Sequence, residues 1–152
     1  MTLADPVRLE ALRRSGLLGR PATERLRRLV RTAAEMVQAD AAQLNLVDEH
    51  LVHHVALWPV PDGPEGPWPS EQSGCQHVVG GEVFAVQDSV LHPLTCELPW
   101  TGTWRGYLGA PVLFQGEPVG ALCVLTRQPR EWTSVDVLAL SSVATYASHA
   151  LA

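Results

Sequence analysis

Two nearly unbroken apolar runs, GYLGAPVLF (residues 106–114) and VGALCVLT (residues 119–126), flank the turn QGEP. A strand with one face in water alternates apolar and polar residues. These runs do not alternate, so they read as an antiparallel hairpin covered on both faces and central to its sheet. The rest of the chain has to supply the strands beside that hairpin and the layers above and below it.

The candidates appear in order along the sequence. Asp5 to Arg14 reads as a short helix with Val7, Leu9 and Leu12 on one side. SGLLGRP then breaks it at Gly16, Gly19 and Pro21. Residues 22–39 give the strongest helical pattern. Leu26, Leu29, Val30, Ala33, Ala34 and Val37 recur every three or four residues, and arginines hold the other face. From Ala42 the pattern becomes alternating, with Ala42, Leu44 and Leu46 against Gln43, Asn45 and Val47. After the turn DEH, LVHHVALW makes a second strand and completes a hairpin. Residues 59–74 contain five prolines, so they form a loop, and loops of that length tend to be lids or binding segments. CQHVV makes a helical turn or two, ended by Gly80 and Gly81. EVFAVQD is a short strand, and residues 88–105 form a second long loop. Residues 133–151 form a closing helix. Thr133 or Ser134 caps it, and Val137, Leu140, Val143, Ala144, Ala147 and Leu151 make its apolar stripe. The order ααββ(α)βββα predicts an α+β fold.

With 152 residues, 46% of them apolar, the chain is expected to form one domain over residues 1–152, with residues 1–20 as a helical lead-in. No apolar run approaches the ~20 residues needed to span a bilayer, so no membrane role is expected. The N-terminus lacks the pattern of a secretion signal. Three cysteines, Cys75, Cys96 and Cys123, are too few and too uneven for a disulfide scaffold and fit a cytoplasmic location. The net charge of −5 is unevenly spread. Residues 1–31 hold eight of the eleven arginines and three acids, and the chain has no lysine. Without interleaved aromatics this reads as a solvated helix face, and no nucleic-acid partner is expected.

Four groups of side chains carry candidate chemistry. Cys75 and His77, two residues apart in SGCQHVVGG, are the components of a nucleophile and its base, but such a pair needs a third group to orient the histidine. A free cysteine is more often a small buried hydrophobe. His50, His53, His54, His77 and His92 offer imidazoles, yet His53 and His54 point to opposite faces of a strand and no metal-ligand spacing is present, so no metal site is expected. Trp58, Trp68, Trp100 and Trp104 fall in or beside the long loops and suit an apolar or planar ligand. Tyr107 and Arg105 supply a polar end, and Arg105 is the only arginine or lysine in residues 32–126, available to an anion.

Three stretches in series resemble the GAF domain, the small-molecule-sensing relative of the PAS fold. They are DPVRLEALRRSGLL with the following helix and AAQLNLVDEHLVHHVA, then SGCQHVVGGEVFAVQDSVLHP, then YLGAPVLFQGEPVGALCVLTRQPREWTSVDVLALSSVA. The resemblance implies a twisted antiparallel sheet of five to six strands. The terminal helices lie on one face and a ligand pocket under loops and a short helix on the other. Residues 60–80 and 88–106 become the pocket cover. Cys75, His77 and Val78 sit on the pocket helix, and Asp88 ends the strand beneath it.

The implied function is a sensory or regulatory domain in signal transduction, acting through a partner protein because no kinase, phosphatase or cyclase segment is present. A homodimer through helices 22–39 and 133–151 is implied as well. The occupant is expected to be a small organic molecule or an anion. Bilin-binding relatives have histidine directly after the linking cysteine; here Gln76 intervenes, which counts against bilin. Haem needs only one histidine and stays open. The rival reading is a free methionine-R-sulfoxide reductase with Cys96 as nucleophile and Cys75 as resolving thiol, although the acidic residue expected before the hairpin is missing from RGYLGAP.

Overall fold

The structure, a computed structural model, describes residues 2–59 and 67–151. Three helices, α1 (Pro6–Ser15), α2 (Glu24–Val37) and α3 (Ser134–Leu151), accompany six strands: β1 (Ala41–Val47), β2 (Leu51–Trp58), β3 (Trp68–Pro69), β4 (Phe84–Val86), β5 (Gly106–Phe114) and β6 (Glu117–Thr126). The sheet order is β3-β2-β1-β6-β5-β4, and every pair is antiparallel. The β5–β6 hairpin stands inside the sheet, as its two-sided apolar pattern requires.

Alternation along the strands sorts the core into two layers. Ala42, Leu44 and Leu46 of β1, Leu108 and Ala110 of β5, and Leu122 and Val124 of β6 pack with all three helices. Val47, Val52, Tyr107, Ala121, Cys123 and Leu125 face the other way and pack with Cys75, Val78, Val79 and Val86. α2 and α3 therefore share one face, and the loops cover the other.

The local reasons are visible at the ends. Thr23 caps α2 by accepting from the amide of Leu26. At α3 the Thr133 hydroxyl accepts from the amide of Asp136, while the Asp136 carboxylate accepts from the amide of Thr133, a reciprocal cap. β6 approaches β1 so closely at Gly120 that a Cβ there would lie 2.1 Å from the Asn45 carbonyl oxygen.

Several details differ from expectation. Val7 is 61% exposed, and Arg8 is buried in its place because its guanidinium donates to the carbonyls of Thr2, Leu3 and Val47. The Pro-rich loop contributes a strand, β3, paired with Leu51 and Val52. The helical turn over CQHVV is a 3₁₀ turn at Cys75–His77, preceded by another at Ser70–Gln72. The strand read over residues 82–88 shortens to β4. The arginines expected as a solvated face are largely that. Arg13, Arg27, Arg28 and Arg31 sit exposed in ion pairs with Glu10, Glu24 and Glu35 on their own helices.

Candidate functional site

The sheet face opposite the helices is roofed by the 70–77 turns and by the 88–105 loop. Between roof and sheet lies a cavity of about 310 Å³. Three tryptophans stand in its walls, Trp68 from β3 and Trp100 and Trp104 from the long loop. Tyr107 rises from β5 beside them, its ring centroid 5.8 Å from that of Trp100. The Trp100 Nε1–H donates to the Gln72 carbonyl at 2.9 Å, which ties one roof segment to the other. Gly74 is obligatory in this roof, since a Cβ there would meet the Tyr107 ring at 2.7 Å.

The floor is polar and internally bonded. Gln43 and Asn45 point the same way from β1, and His54 stands opposite Asn45 on β2. The Asn45 Nδ2 donates to Gln43 Oε1 at 3.1 Å, to Cys75 Sγ at 3.3 Å and to Cys123 Sγ at 3.9 Å. Its Oδ1 meets His54 Nδ1 at 2.7 Å. Cys75 also accepts from the Tyr107 hydroxyl at 3.5 Å. Hydrogen bonding from Cys123 opposes the cost of burial and, with Tyr107 and Asn45, lowers the Cys75 thiol to about 7. Cys123 is pushed well up in return. Burial, with His53 nearby, holds His54 below the ordinary 6.5, so it is neutral at physiological pH. Among the described residues, no lysine, arginine, aspartate or glutamate lines the cavity.

Of the residues singled out in the sequence, Cys75, Trp68, Trp100, Trp104 and Tyr107 meet at this cavity. Trp58 does not. A bulge places Val55 out of register, since Leu44 pairs with Ala56 while the next residue, Asn45, pairs with His54. One extra residue reverses the alternation, so Leu57 faces the cavity and Trp58 packs on the helical side. His77 is not among the lining residues and packs its ring at a tilt of 50° against Phe84, with centroids 4.8 Å apart. Its burial, with His92 near, lowers its pKa. Val78 is fully buried in the layer beneath. Asp88 and Arg105 form a two-pronged ion pair, with Asp88 Oδ1 accepting from Arg105 Nε at 2.7 Å and Oδ2 from Nη2 at 2.6 Å. The anion-binding role expected for Arg105 is thereby filled from within the chain. Cys96 is exposed on the 88–105 loop, and all three cysteines are free. Among the described residues no three metal-binding side chains cluster.

Gln43 and Asn45 carry no site signal of their own in the sequence, and His54 enters there only as one of five imidazoles weighed for a metal. The β1 alternation did set Gln43 and Asn45 on the face opposite Leu44 and Leu46. Two amides on a strand face away from the helices, Asn45 buried and Gln43 half-buried, are the signal that marks a cavity floor.

The sequence profile of the GAF domain matches residues 21–151. The chain belongs to the GAF family. Solved GAF domains share its fold. That of an Acinetobacter phosphoenolpyruvate-protein phosphotransferase superposes with a TM-score of 0.72 at 19% identity, covering 96% of this chain and 93% of its own. The blue-light-absorbing PixJ GAF domain of Thermosynechococcus elongatus gives 0.69 at 20% identity, covering 95% and 89%. A type II free methionine-R-sulfoxide reductase from Thermoplasma acidophilum gives 0.69 at 17% identity, covering 84% and 89%. No curated protein sequence matches at a significant level. At these identities the structural likeness speaks for the fold. What this GAF domain binds has to be argued from its own cavity.

Proposed function

We propose that this GAF domain is a regulatory sensor that binds a small organic molecule in the cavity between the sheet and the 70–77 and 88–105 segments. The observation that carries the reading is the pairing of a wall holding three tryptophans with a polar, internally hydrogen-bonded floor beneath two loops joined through Trp100. The chain acts as one domain with residues 1–20 as a lead-in, in the cytoplasm, where its three free thiols persist. Ligand binding orders the two roof segments. That change reaches α2 and α3 through the sheet and then passes to a partner protein. The helices α2 and α3 also form the homodimer contact.

The reductase reading has less behind it. Its resolving thiol, Cys75, is buried under Asn45 and Tyr107, and Cys96 lies outside the cavity wall. Incubation with free methionine-R-sulfoxide and dithiothreitol is expected to give no turnover. The sensory reading is tested by native mass spectrometry of the purified protein after exposure to a cell-extract small-molecule fraction. A stoichiometric adduct that disappears in Trp104→Ala is expected. Turnover of the sulfoxide that Cys96→Ser abolishes would replace the sensor with the enzyme.

A further inference from the structure

The cavity floor has unused hydrogen-bonding atoms, and their arrangement narrows the ligand. Asn45 is 2% exposed, and its amide is fully engaged. With Nδ2 donating to Gln43 Oε1 and to Cys75, Oδ1 is left to accept from His54 Nδ1–H. A neutral imidazole that carries its proton on Nδ1 has a bare lone pair on Nε2. Gln43, whose Oε1 is taken, keeps the donors of its Nε2. Neither Nε2 has a partner among the described residues, and both side chains line the cavity. The floor therefore presents one acceptor and one donor, held on either side of Asn45. Turning both amides over exchanges the two roles and keeps the pair.

The remaining wall removes other classes. Among the described residues the lining has no lysine, arginine, aspartate or glutamate, so an ionised ligand would lose its hydration without a countercharge from them. Arg105, the arginine nearest in sequence, is held by Asp88. Trp68, Trp100, Trp104 and Tyr107 present aromatic surface, which favours a flat ring system. A volume of about 310 Å³ stands at the small end of ligand cavities.

We propose that the ligand is an uncharged planar heterocycle with a lactam edge, a ring N–H beside a ring C=O, which meets the unpartnered His54 Nε2 and Gln43 Nε2 while its faces lie against the tryptophans. This rests on the sensory reading of the cavity and adds to it the chemical class.

The test is titration of the intact chain by nuclear magnetic resonance with three probes. They are 2-quinolone, its N-methyl derivative, which lacks the donor, and 2-quinolone-4-carboxylate, which adds a charge. 2-Quinolone is expected to bind about tenfold more tightly than either relative, the worth of one hydrogen bond. His54→Phe, checked for an unchanged fold by circular dichroism, removes the acceptor for the ring N–H. It is expected to bring 2-quinolone down to the level of its N-methyl derivative while leaving that derivative's affinity unchanged. Gln43→Met, checked in the same way, removes the donor to the ring C=O and is expected to weaken both neutral probes alike. The two variants exchange these results if both amides are turned over. Equal binding of the two neutral probes, tighter binding of the carboxylate, or a preference that survives both variants would overturn the lactam inference. If neither neutral probe binds while native mass spectrometry finds a ligand that Trp104→Ala removes, the inference fails and the sensory cavity stands. If the neutral probes bind wild type and Trp104→Ala alike, the cavity reading itself fails.

Discussion

Gly120 shows how little room the central strands leave. The Asn45 carbonyl oxygen occupies the space a Cβ would need, and backbone cannot swing aside as a flexible side chain can. Gly120→Ala is expected to cost about 1–3 kcal/mol, read as a lower midpoint in urea unfolding. An unchanged midpoint would mean that β1 and β6 sit further apart than described. Histidine protonation gives a second expectation at this scale. Burial holds His54 and His77 below 6.5, so the unfolded chain takes up protons first as the pH falls through that value. The contribution of these two histidines to stability should therefore be level above about pH 7 and decline toward pH 5.5. His54→Gln should flatten part of that decline in urea titrations at the two pH values. A wild-type protein equally stable at both would contradict the burial of these rings.

Among the elements, α3 has more apolar surface than its own packing uses. Leu140, Val143, Ala144, Ala147 and Leu151 face the sheet and α2, yet Val135, Leu138 and Tyr146 stand 73%, 69% and 55% exposed on other sides. Its one carboxylate, Asp136, is engaged by the cap and by Arg130. A surface of this kind fits the proposed helix-mediated dimer. Light scattering at tens of micromolar should return a dimer mass, and Leu138→Glu should shift it to monomer with the fold preserved. A monomeric wild type would remove the dimer from the account. The elements were also the most legible part of the sequence. The hairpin at residues 106–126, the amphipathic α2 and the Thr133 cap follow from short-range pattern and capping chemistry, which act within a few residues. The exceptions arise where partners are distant. β3 exists because Leu51 and Val52 offer an edge, and Pro-rich composition alone gives no sign of that.

At the scale of the whole molecule, the two-layer division was legible because strand alternation assigns every side chain to one layer or the other. The site was legible only in part. Trp68, Trp100 and Trp104 could be placed because they lie within the two long loops. Trp58 could not, because the bulge at Val55 reverses its direction, and a bulge is set by pairing with β1 rather than by local sequence. Arg105 and Asp88, 17 residues apart, neutralise each other in a contact that composition does not reveal. The five tryptophans now give the most direct test, since each indole N–H yields one resonance. Trp68, Trp100 and Trp104 line the cavity, whereas Trp58 and Trp132 pack on the helical side. In a ¹H–¹⁵N titration with 2-quinolone, the three cavity indoles should shift together at saturation while the other two move little. Shifts confined to Trp58 and Trp132, or no shift at any of the five, would contradict a ligand site on this face of the sheet.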